Sequence, residues 1–236
     1  MEGKEEQGAN AEEKQEDQET QNKGSDRALI LTVAVLALIV LAIIFLPRFF
    51  EPEPKTLMEL HQLNLEGKLS ADEGYVYGGE HSFVKFDNLW YLLLTAPEIE
   101  RFFNIPFHYG PKEVEDIRPQ GVFNSSNLNA HDTFYMLIDP EDEYGGYIGA
   151  SILEADGVFI QAFGKTVTDA CTNNVSYSCH NRPILSCNAT SAPVFYFASE
   201  NRTNLLYLDN CAIISGQKEE LFRATDRMLF DLLGIM

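Results

Sequence analysis

The chain has 236 residues, of which 36 are acidic and 17 are basic, and its formal net charge is −19 at pH 7. Residues 1–27 hold nine acids and four bases, a net charge of −5, so the remaining residues carry −14. A surface this acidic repels phosphate, which argues against nucleic acid or anionic lipid head groups as ligands. The length after residue 56 suits a single domain that can bury its own core.

The N-terminal segment, residues 1–27, is rich in Glu, Gln, Lys, Asn and Gly and contains no aromatic residue. Such a composition buries too little apolar surface to offset the entropy of ordering. The sequence therefore predicts a disordered acidic tail.

Residues 28–46 are apolar apart from Thr32 and carry no charge. As a helix they would extend roughly 28 Å, close to the hydrocarbon thickness of a bilayer. The run is longer than a secretory signal core and lacks a small-residue cleavage site, which favours an uncleaved signal anchor. A pilin-like surface subunit is the alternative, because Lys23-Gly24-Ser25 resembles a leader-cleavage site. Pilin helices continue into the soluble domain, whereas the Pro/Glu spacer at residues 47–56 interrupts this one.

Cysteines and Asn-x-Ser/Thr triplets indicate on which side of the membrane the domain lies. All of them follow the apolar segment: Cys171, Cys179, Cys187 and Cys211, and the triplets at Asn124, Asn174, Asn188 and Asn201. Disulfides persist outside the cytosol, and such triplets are glycosylation acceptors there. We therefore expect a single-pass cell-membrane protein, with the tail in the cytoplasm and an extracytoplasmic domain at residues 57–236.

In the first part of that domain, the sequence predicts one helix followed by strands. Leucines at residues 57–65 indicate a juxtamembrane helix. Residues 82–95 predict a hairpin with a turn at Asp87-Asn88, because Asp and Asn tolerate a left-handed backbone. Residues 103–109 alternate apolar and polar or Pro residues and predict a half-buried strand. Residues 122–131 are rich in Asn and Ser and predict a loop.

In the middle of the domain, the sequence predicts a strand at residues 133–138 that is followed directly by a helix. Asp139 at the N-cap, Pro140 and the acids after them are typical of a helix start. Apolar residues from Ile148 to Ala162 then share one helical face, and Gly164 predicts the end of the helix.

In the C-terminal part of the domain, the sequence predicts three strands and a final helix. The strands are at residues 184–187, 194–198 and 205–214. The final helix covers residues 221–233, with an apolar stripe and Gly234 as its cap, so that Ile235 and Met236 pack back onto the fold. Together the elements predict an α/β or α+β domain with one mixed sheet and helices packed on it.

No catalytic residue, cofactor site or metal site can be assigned from these patterns. The acids around Asp139 could bind a hard cation, but helix capping explains them better. The four cysteines with His180 could bind zinc, but their spacing is unlike that of zinc knuckles, and disulfides, for which three pairings exist, are favoured. The five histidines are scattered, and a lone His is more often structural than catalytic.

Three stretches resemble a known group of proteins. They are residues 107–117 (FHYGPKEVEDI), 210–216 (NCAIISG) and 224–236 (ATDRMLFDLLGIM). They resemble a family of uncharacterised archaeal membrane-anchored proteins with one N-terminal span. The resemblance implies location and architecture but no activity, cofactor or catalytic residue. Cysteines matching Cys187 and Cys211 recur in that group, which implies a bond between them, and Cys171 and Cys179 would then close a short loop.

The function that these observations favour is a non-enzymatic envelope protein that binds a protein or glycan partner. Its other partner would be the lipid bilayer, through residues 28–46. An extracytoplasmic hydrolase is the alternative, with catalytic residues that come together only in the folded domain. A pocket with converging polar groups would favour the enzyme, and a shallow apolar surface the binding protein.

Overall fold

The computed structural model describes residues 30–44, 56–96, 101–143 and 145–236. Contacts divide the chain into two units, with the boundary after residue 53. Within the first unit, residues 30–44 form a helix, α1, whose apolar side chains are exposed. No helix in the described ranges is both long and apolar enough to cross a membrane. The ends of the predicted 28–46 anchor, the predicted tail and most of the predicted spacer lie outside those ranges.

The second unit is a mixed α/β domain. Its helices are α2 (Leu57–Leu65), α3 (Ser126–Ala130), α4 (Gly145–Gln161) and α5 (Glu219–Leu232). Its strands are β1 (Gly74–Tyr77), β2 (His81–Phe86), β3 (Leu89–Ala96), β4 (Arg101–Phe107), β5 (Gln120–Phe123), β6 (Thr133–Ile138), β7 (Thr166–Cys171), β8 (Val194–Ala198), β9 (Asn204–Asp209) and β10 (Cys211–Ser215).

The first sheet is an antiparallel meander in the order β1-β2-β3-β4. The predicted hairpin is confirmed: Phe86 pairs with Leu89, and the two turn residues have positive φ, 50° at Asp87 and 63° at Asn88. These values match the turn type whose twist suits adjacent antiparallel strands. The predicted strand at 103–109 is β4, which begins two residues earlier and ends at Phe107.

Helix α2, predicted correctly at residues 57–65, packs on β1 and β2. It begins with a capping box, in which Thr56 and Glu59 each accept the other's backbone N–H. Buried polar groups then attach it to the sheet: His61 Nδ1 lies 2.9 Å from Ser82 Oγ, and the Asn64 amide donates to the same oxygen at 2.7 Å. Buried polar side chains are stable only when paired in this way.

The second sheet has six strands in the order β5-β9-β10-β8-β6-β7. Neighbours are parallel except for β9 and β10, which are antiparallel. The strand predicted at 205–214 is therefore a hairpin, β9–β10, which turns at Asp209 with φ of 56°. The prediction of a strand at residues 184–187 is wrong, because Ile184 alone pairs with another residue, in a single bridge to Cys171.

Several elements were not expected from the sequence. Strands β1 and β7 carry no clear alternation of apolar and polar residues. The stretch at 122–131 is not only a loop, because β5 ends within it and α3 follows. The prediction of one mixed sheet is also wrong, since the domain has two sheets. Each of these elements is short, and β5 and β7 pair with strands that lie far away in sequence.

Helices α4 and α5 lie between the two sheets and pack on each other. Helix α4 contacts β4 of the first sheet and β7 and β8 of the second. Helix α5 contacts β9 and β10, while its Phe230 ring packs against Phe83 and Phe107 of the first sheet. One continuous apolar core therefore extends through both sheets and both helices.

The predicted helix start at Asp139 is wrong. Helix α4 begins at Gly145, and residues 139–142 form a turn in which Asp139 Oδ1 accepts the Glu141 N–H at 3.0 Å. Asp142 accepts the Ser199 N–H at 2.7 Å. Asp139 therefore stabilises the loop after β6, and Asp142 joins that loop to the one after β8. Neither caps a helix, an alternative use of Asp side chains near backbone N–H groups.

The C-terminus folds as predicted at Gly234 and Ile235. Gly234 has φ of 72°, its N–H donates to Asp231 O, and the Ile235 N–H donates to Phe230 O. This pair of bonds is the Schellman motif. Ile235 is buried, and Met236 is half-buried against the core.

Two disulfides lie in the segment between β7 and β10. They join Cys171 to Cys179 and Cys187 to Cys211, the pairing that the resemblance implied. Cys187 and Leu185 pack with Leu137, Val194 and Cys211 in a second apolar cluster. The bond to Cys211 thereby holds the segment against the six-stranded sheet.

Candidate functional site

The segment that follows β4, residues 108–110, is bound by three carboxylates from three different elements. Glu154 of α4 accepts the His108 N–H at 3.0 Å, and Asp226 of α5 accepts the Tyr109 N–H at 2.7 Å. Glu113, in the 3₁₀ turn that follows, accepts the Gly110 N–H at 2.7 Å. Three successive backbone donors are thus each bound to a charged or ionisable acceptor, the stronger class of hydrogen bond.

His108 pairs with Glu154 in this cluster. Its Nδ1 lies 3.0 Å from both oxygens of Glu154, and its ring stacks on Phe222 at 4.0 Å between centroids. The His108 side chain is 41% exposed, whereas that of Glu154 is only 6% exposed. The hydrogen bond that His108 donates to Glu154 raises the pKa of His108, and burial partly opposes that effect. A carboxylate that fixes Nδ1 leaves Nε2 as the proton-exchanging atom.

Asp226 is fully buried beneath this pair. Burial, and then the negative charge of Glu154, raise the pKa of Asp226 well above its usual range. A nearby like charge and a dry environment both disfavour the charged form of a carboxyl group. The arrangement therefore places a buried carboxyl group beneath a partly exposed imidazole that is paired with Glu154.

Arg223 links the outer acids of this region. Its guanidinium donates to Glu220, to Asp116 and to the Glu113 carbonyl oxygen. One face of α5 therefore carries groups that fix the 108–117 segment. Of the three stretches behind the family resemblance, 224–236 contacts 107–117 through Asp226, and helix α5, which includes most of 224–236, packs on β10 within 210–216.

A cavity of about 430 Å³ lies between β5, β9 and α5. Its polar lining residues are Arg227, Tyr207, Asp231 and Ser125, and its apolar ones include Val122, Phe123, Leu128 and Leu232. Arg227 Nε donates to Ile117 O at 3.1 Å, while its Nη1 lies 3.7 Å from Asp231 Oδ1. Burial, followed by the nearby Asp231 charge, raises the pKa of Tyr207, so its hydroxyl stays protonated.

A second cavity, about 340 Å³, lies beside α4 and β7. Asp156 and Asp169 line it, and Arg182 pairs with Asp169 at 2.9 Å. Burial, and secondarily the charge of Asp169, raise the pKa of Asp156 to about 6. Isoleucine and leucine side chains form most of the rest of its surface, so this cavity is more apolar than the first.

The residues singled out from the sequence lie elsewhere. The four asparagines of the triplets, Asn124, Asn174, Asn188 and Asn201, are all exposed. The four cysteines form disulfides instead of a metal site, and within the described ranges no group of three or more His, Cys, Asp or Glu residues could hold a metal ion. Burial lowers the pKa of His61 to about 4, which keeps that residue neutral and structural.

Sequence reasoning missed both the His108 cluster and the cavity between β5, β9 and α5. His108 is separated from Glu154 by 46 residues and from Asp226 by more than 100, so no local spacing signals their contact. The one available signal was the Asp at position 226 between Phe222 and Phe230 of an otherwise apolar helical face. A polar residue at such a position is either exposed or paired in the core.

Comparisons with known proteins identify no relative. The chain matches no protein-family model, no curated protein and no solved structure.

Proposed function

We propose that the chain is a membrane-anchored binding protein, attached through residues 28–46, whose extracytoplasmic domain holds a ligand in the cavity between β5, β9 and α5. One observation carries this proposal: Arg227, Tyr207 and Asp231 line that cavity together with apolar residues. Concave surfaces that combine apolar side chains with a few polar groups are typical of ligand sites. Arg227, Tyr207 and Asp231 supply a cation, a hydroxyl and an acceptor, which suit recognition.

The extracytoplasmic location is supported by the two disulfides and by the exposure of all four triplet asparagines. Disulfides are rare in reducing compartments. Glycosylation also requires an accessible side chain, which buried asparagines would not provide.

Protease treatment of intact cells tests the location. With epitopes at both ends of the chain, external protease should remove the C-terminal epitope and leave the N-terminal one intact. Protection of the C-terminal epitope in intact cells, combined with its loss after lysis, would contradict the proposal.

Site-specific photo-crosslinking tests the binding role. A photoreactive residue in place of Val122, which is 78% exposed at the cavity, should form covalent adducts in intact cells. The matched control is Val175, 63% exposed and remote from that cavity, which should not form them. Equal labelling at both positions would count against a specific ligand at the cavity.

A hydrolase is the second candidate, because Glu154 fixes Nδ1 of His108 and leaves the imidazole partly exposed. Such a pair acts as a general base in many hydrolases. The purified chain would be assayed against ester, peptide and glycoside substrates. Turnover that is lost in His108→Gln and kept in His180→Gln would favour the enzyme, and absence of any turnover would favour the binding protein.

A further inference from the structure

We propose that the cavity beside α4 and β7 binds a small amine, in which an ammonium cation is attached to a short apolar chain or ring. This is a second site, and it does not depend on the cavity between β5, β9 and α5. Its volume, about 340 Å³, falls within the range typical of small-ligand sites. It begins at the carboxyl end of β6, a strand parallel to both of its neighbours. The carboxyl ends of parallel strands are where ligands bind in open α/β sheets.

One face of α4 forms the apolar wall of this cavity. The lining residues of that face follow the spacing of successive helical turns: Gly145, Ile148, Gly149, Ile152 and Asp156. A Cβ atom at Gly145 or Gly149 would meet no other atom within 4 Å, so the two glycines leave open space beside the isoleucines. Leu153, which also lines the cavity, is 72% exposed and adds apolar surface on the solvent side. The wall therefore has room for an apolar chain or ring.

The charges at the cavity select a cation. Three acidic residues and one basic residue line it: Asp139, Asp156, Asp169 and Arg182. Arg182 is already paired with Asp169, and Asp139 Oδ1 accepts the Glu141 N–H. Asp156 has no hydrogen-bond or ion-pair partner among the residues that the structure describes. An ammonium group would supply that partner, whereas an anion would meet an excess of carboxyl groups in a chain of net charge −19.

Asp156 is half-buried, and a ligand can reach one of its two carboxylate oxygens. Oδ1 has no accessible surface, whereas Oδ2 remains accessible. Burial of Asp156, and then the negative charge of Asp169, raise the pKa of Asp156 to about 6. Both effects disfavour the carboxylate, and a cation beside Oδ2 would favour it again. The amine therefore pairs with a charge that the fold alone leaves without a partner.

An anion is the competing ligand class, because the cavity reaches Gly145 at the N-terminus of α4, and helix N-termini attract negative charge. That attraction falls off within the first helical turn. Asp156 lies roughly 16 Å further along the helix, at a rise of about 1.5 Å per residue. An ammonium group at Asp156 is therefore outside its range, while an anion near Gly145 would meet Asp139. The charges favour the amine.

Calorimetric titration of the full chain in detergent at pH 8 tests this inference, with blank titrations into detergent alone. The probes are hexylamine, hexanol and hexanoate, which share one apolar chain and differ in charge, and phenethylamine as a second amine. At least one amine should bind. Hexylamine should bind about tenfold or more tightly than hexanol, the effect of one charged contact, and hexanoate should not bind.

Two substitutions separate the charge of the cavity from its space. Asp156→Asn keeps the shape of the side chain and should weaken amine binding about tenfold or more. Its control is Asp132→Asn, at the opposite end of β6. Gly149→Leu fills the open space and should abolish binding, whereas Gly157→Leu, on the same helix but outside the cavity, should not. Thermal melting confirms that every variant is folded.

The pH dependence of binding tests the contact with Asp156. Protonation removes the charge of Asp156, so amine affinity should fall between pH 8 and pH 5, and it should fall less in Asp156→Asn. The other charged groups at the cavity are Asp139, Asp169 and Arg182, which both proteins share. An equal fall in both proteins would overturn the assigned contact.

Absence of binding by both amines overturns the inference. Equal affinity for hexylamine and hexanol also overturns it, as does unchanged affinity in Asp156→Asn or Gly149→Leu. An acetylated, amidated tetrapeptide that contains lysine serves as the peptide probe. Tighter binding of this peptide than of either amine would assign the cavity to a protein partner and overturn the small amine. These outcomes concern this cavity alone, because the proposed function is tested by the protease and crosslinking results.

Discussion

At the scale of single residues, the His108 cluster shows how acids can serve a structural purpose in an acidic protein. Glu154, Asp226 and Glu113 accept three successive amide protons of one segment. Two of them come from helices that lie between the sheets. The segment after β4 is therefore hydrogen-bonded to both helices through carboxyl groups. The protonation of these carboxyl groups determines the strength of the hydrogen bonds.

We expect His108→Gln to reduce stability at low pH more than at high pH. The folded-state pKa of His108 is raised, so its contribution is fully present below the unfolded pKa of about 6.5 and is lost as pH rises through the folded value. Melting temperatures at pH 5.5 and pH 9 would measure this, with His180→Gln as the exposed control. A larger loss at pH 9 than at pH 5.5 would contradict the assigned ion pair.

Asp226→Asn should increase stability more at pH 8 than at pH 5, because the asparagine stays neutral at both pH values. Its carbonyl can accept the Tyr109 N–H, and its amide can donate to Glu154. Since the folded-state pKa of Asp226 is raised, the wild-type domain loses stability as pH rises above the unfolded value, whereas the asparagine variant does not.

Asp226→Ala is the comparison for that substitution. It leaves both partners unpaired and should lower the free energy of unfolding by about 1–3 kcal/mol. Chemical denaturation at both pH values measures the two variants. Equal destabilisation by Asn and Ala at pH 8 would mean that Asp226 is ionised in the fold.

At the scale of elements, α5 is buried on two faces. Its Phe222, Asp226 and Phe230 face the 108–110 segment and the first sheet. The remaining buried stripe, which includes Leu221 and Leu229, is available to β9 and β10. The sequence indicated only the second stripe, because an acidic residue interrupts the first.

Leu229→Ala and Phe230→Ala should therefore both destabilise the domain strongly, although they lie on adjacent faces. Both side chains are fully buried, and such truncations cost about 2–5 kcal/mol. Asp231→Ala, at a partly exposed position, should cost less than about 1 kcal/mol. Thermal melting would measure the three variants. A small effect of Phe230→Ala would show that α5 packs on one sheet only.

The two disulfides should contribute unequally. The chain-entropy model gives about 3.5 kcal/mol for Cys187–Cys211, which closes the longer loop, and about 2.6 kcal/mol for Cys171–Cys179. Replacing each pair by serine and comparing denaturation midpoints measures the difference. The Cys187–Cys211 variant should be the less stable, since Cys211 is also buried in a strand with neighbours on both sides. The reverse order would show that the segment from 172 to 193 is held mainly by other contacts.

At the scale of the whole molecule, the proposed anchor determines where the domain functions. Replacing Leu36 and Val40 with arginine places two charges near the centre of residues 28–46. Each should cost about 2.5–3.5 kcal/mol of membrane insertion. The variant chain should move from the membrane fraction to the soluble fraction, whereas the matching double alanine variant should stay. Retention of the arginine variant in alkali-washed membranes would contradict the anchor.

The sequence by itself determined the local features of this protein. Helix α2, the hairpin at Asp87-Asn88, strand β6 and the Gly234 cap follow from residues close together in the chain, whose caps, turns and periodicity act within a few positions.

Only the tertiary structure decided the number of sheets, the start of α4, the second buried face of α5 and the clusters around His108 and Arg227. Strand pairing, as between β5 and β9, depends on contacts between distant segments. The sequence alone allowed several roles for each of Asp139, Asp142 and Asp226. Their roles were fixed by which backbone N–H group or charge the fold placed beside them.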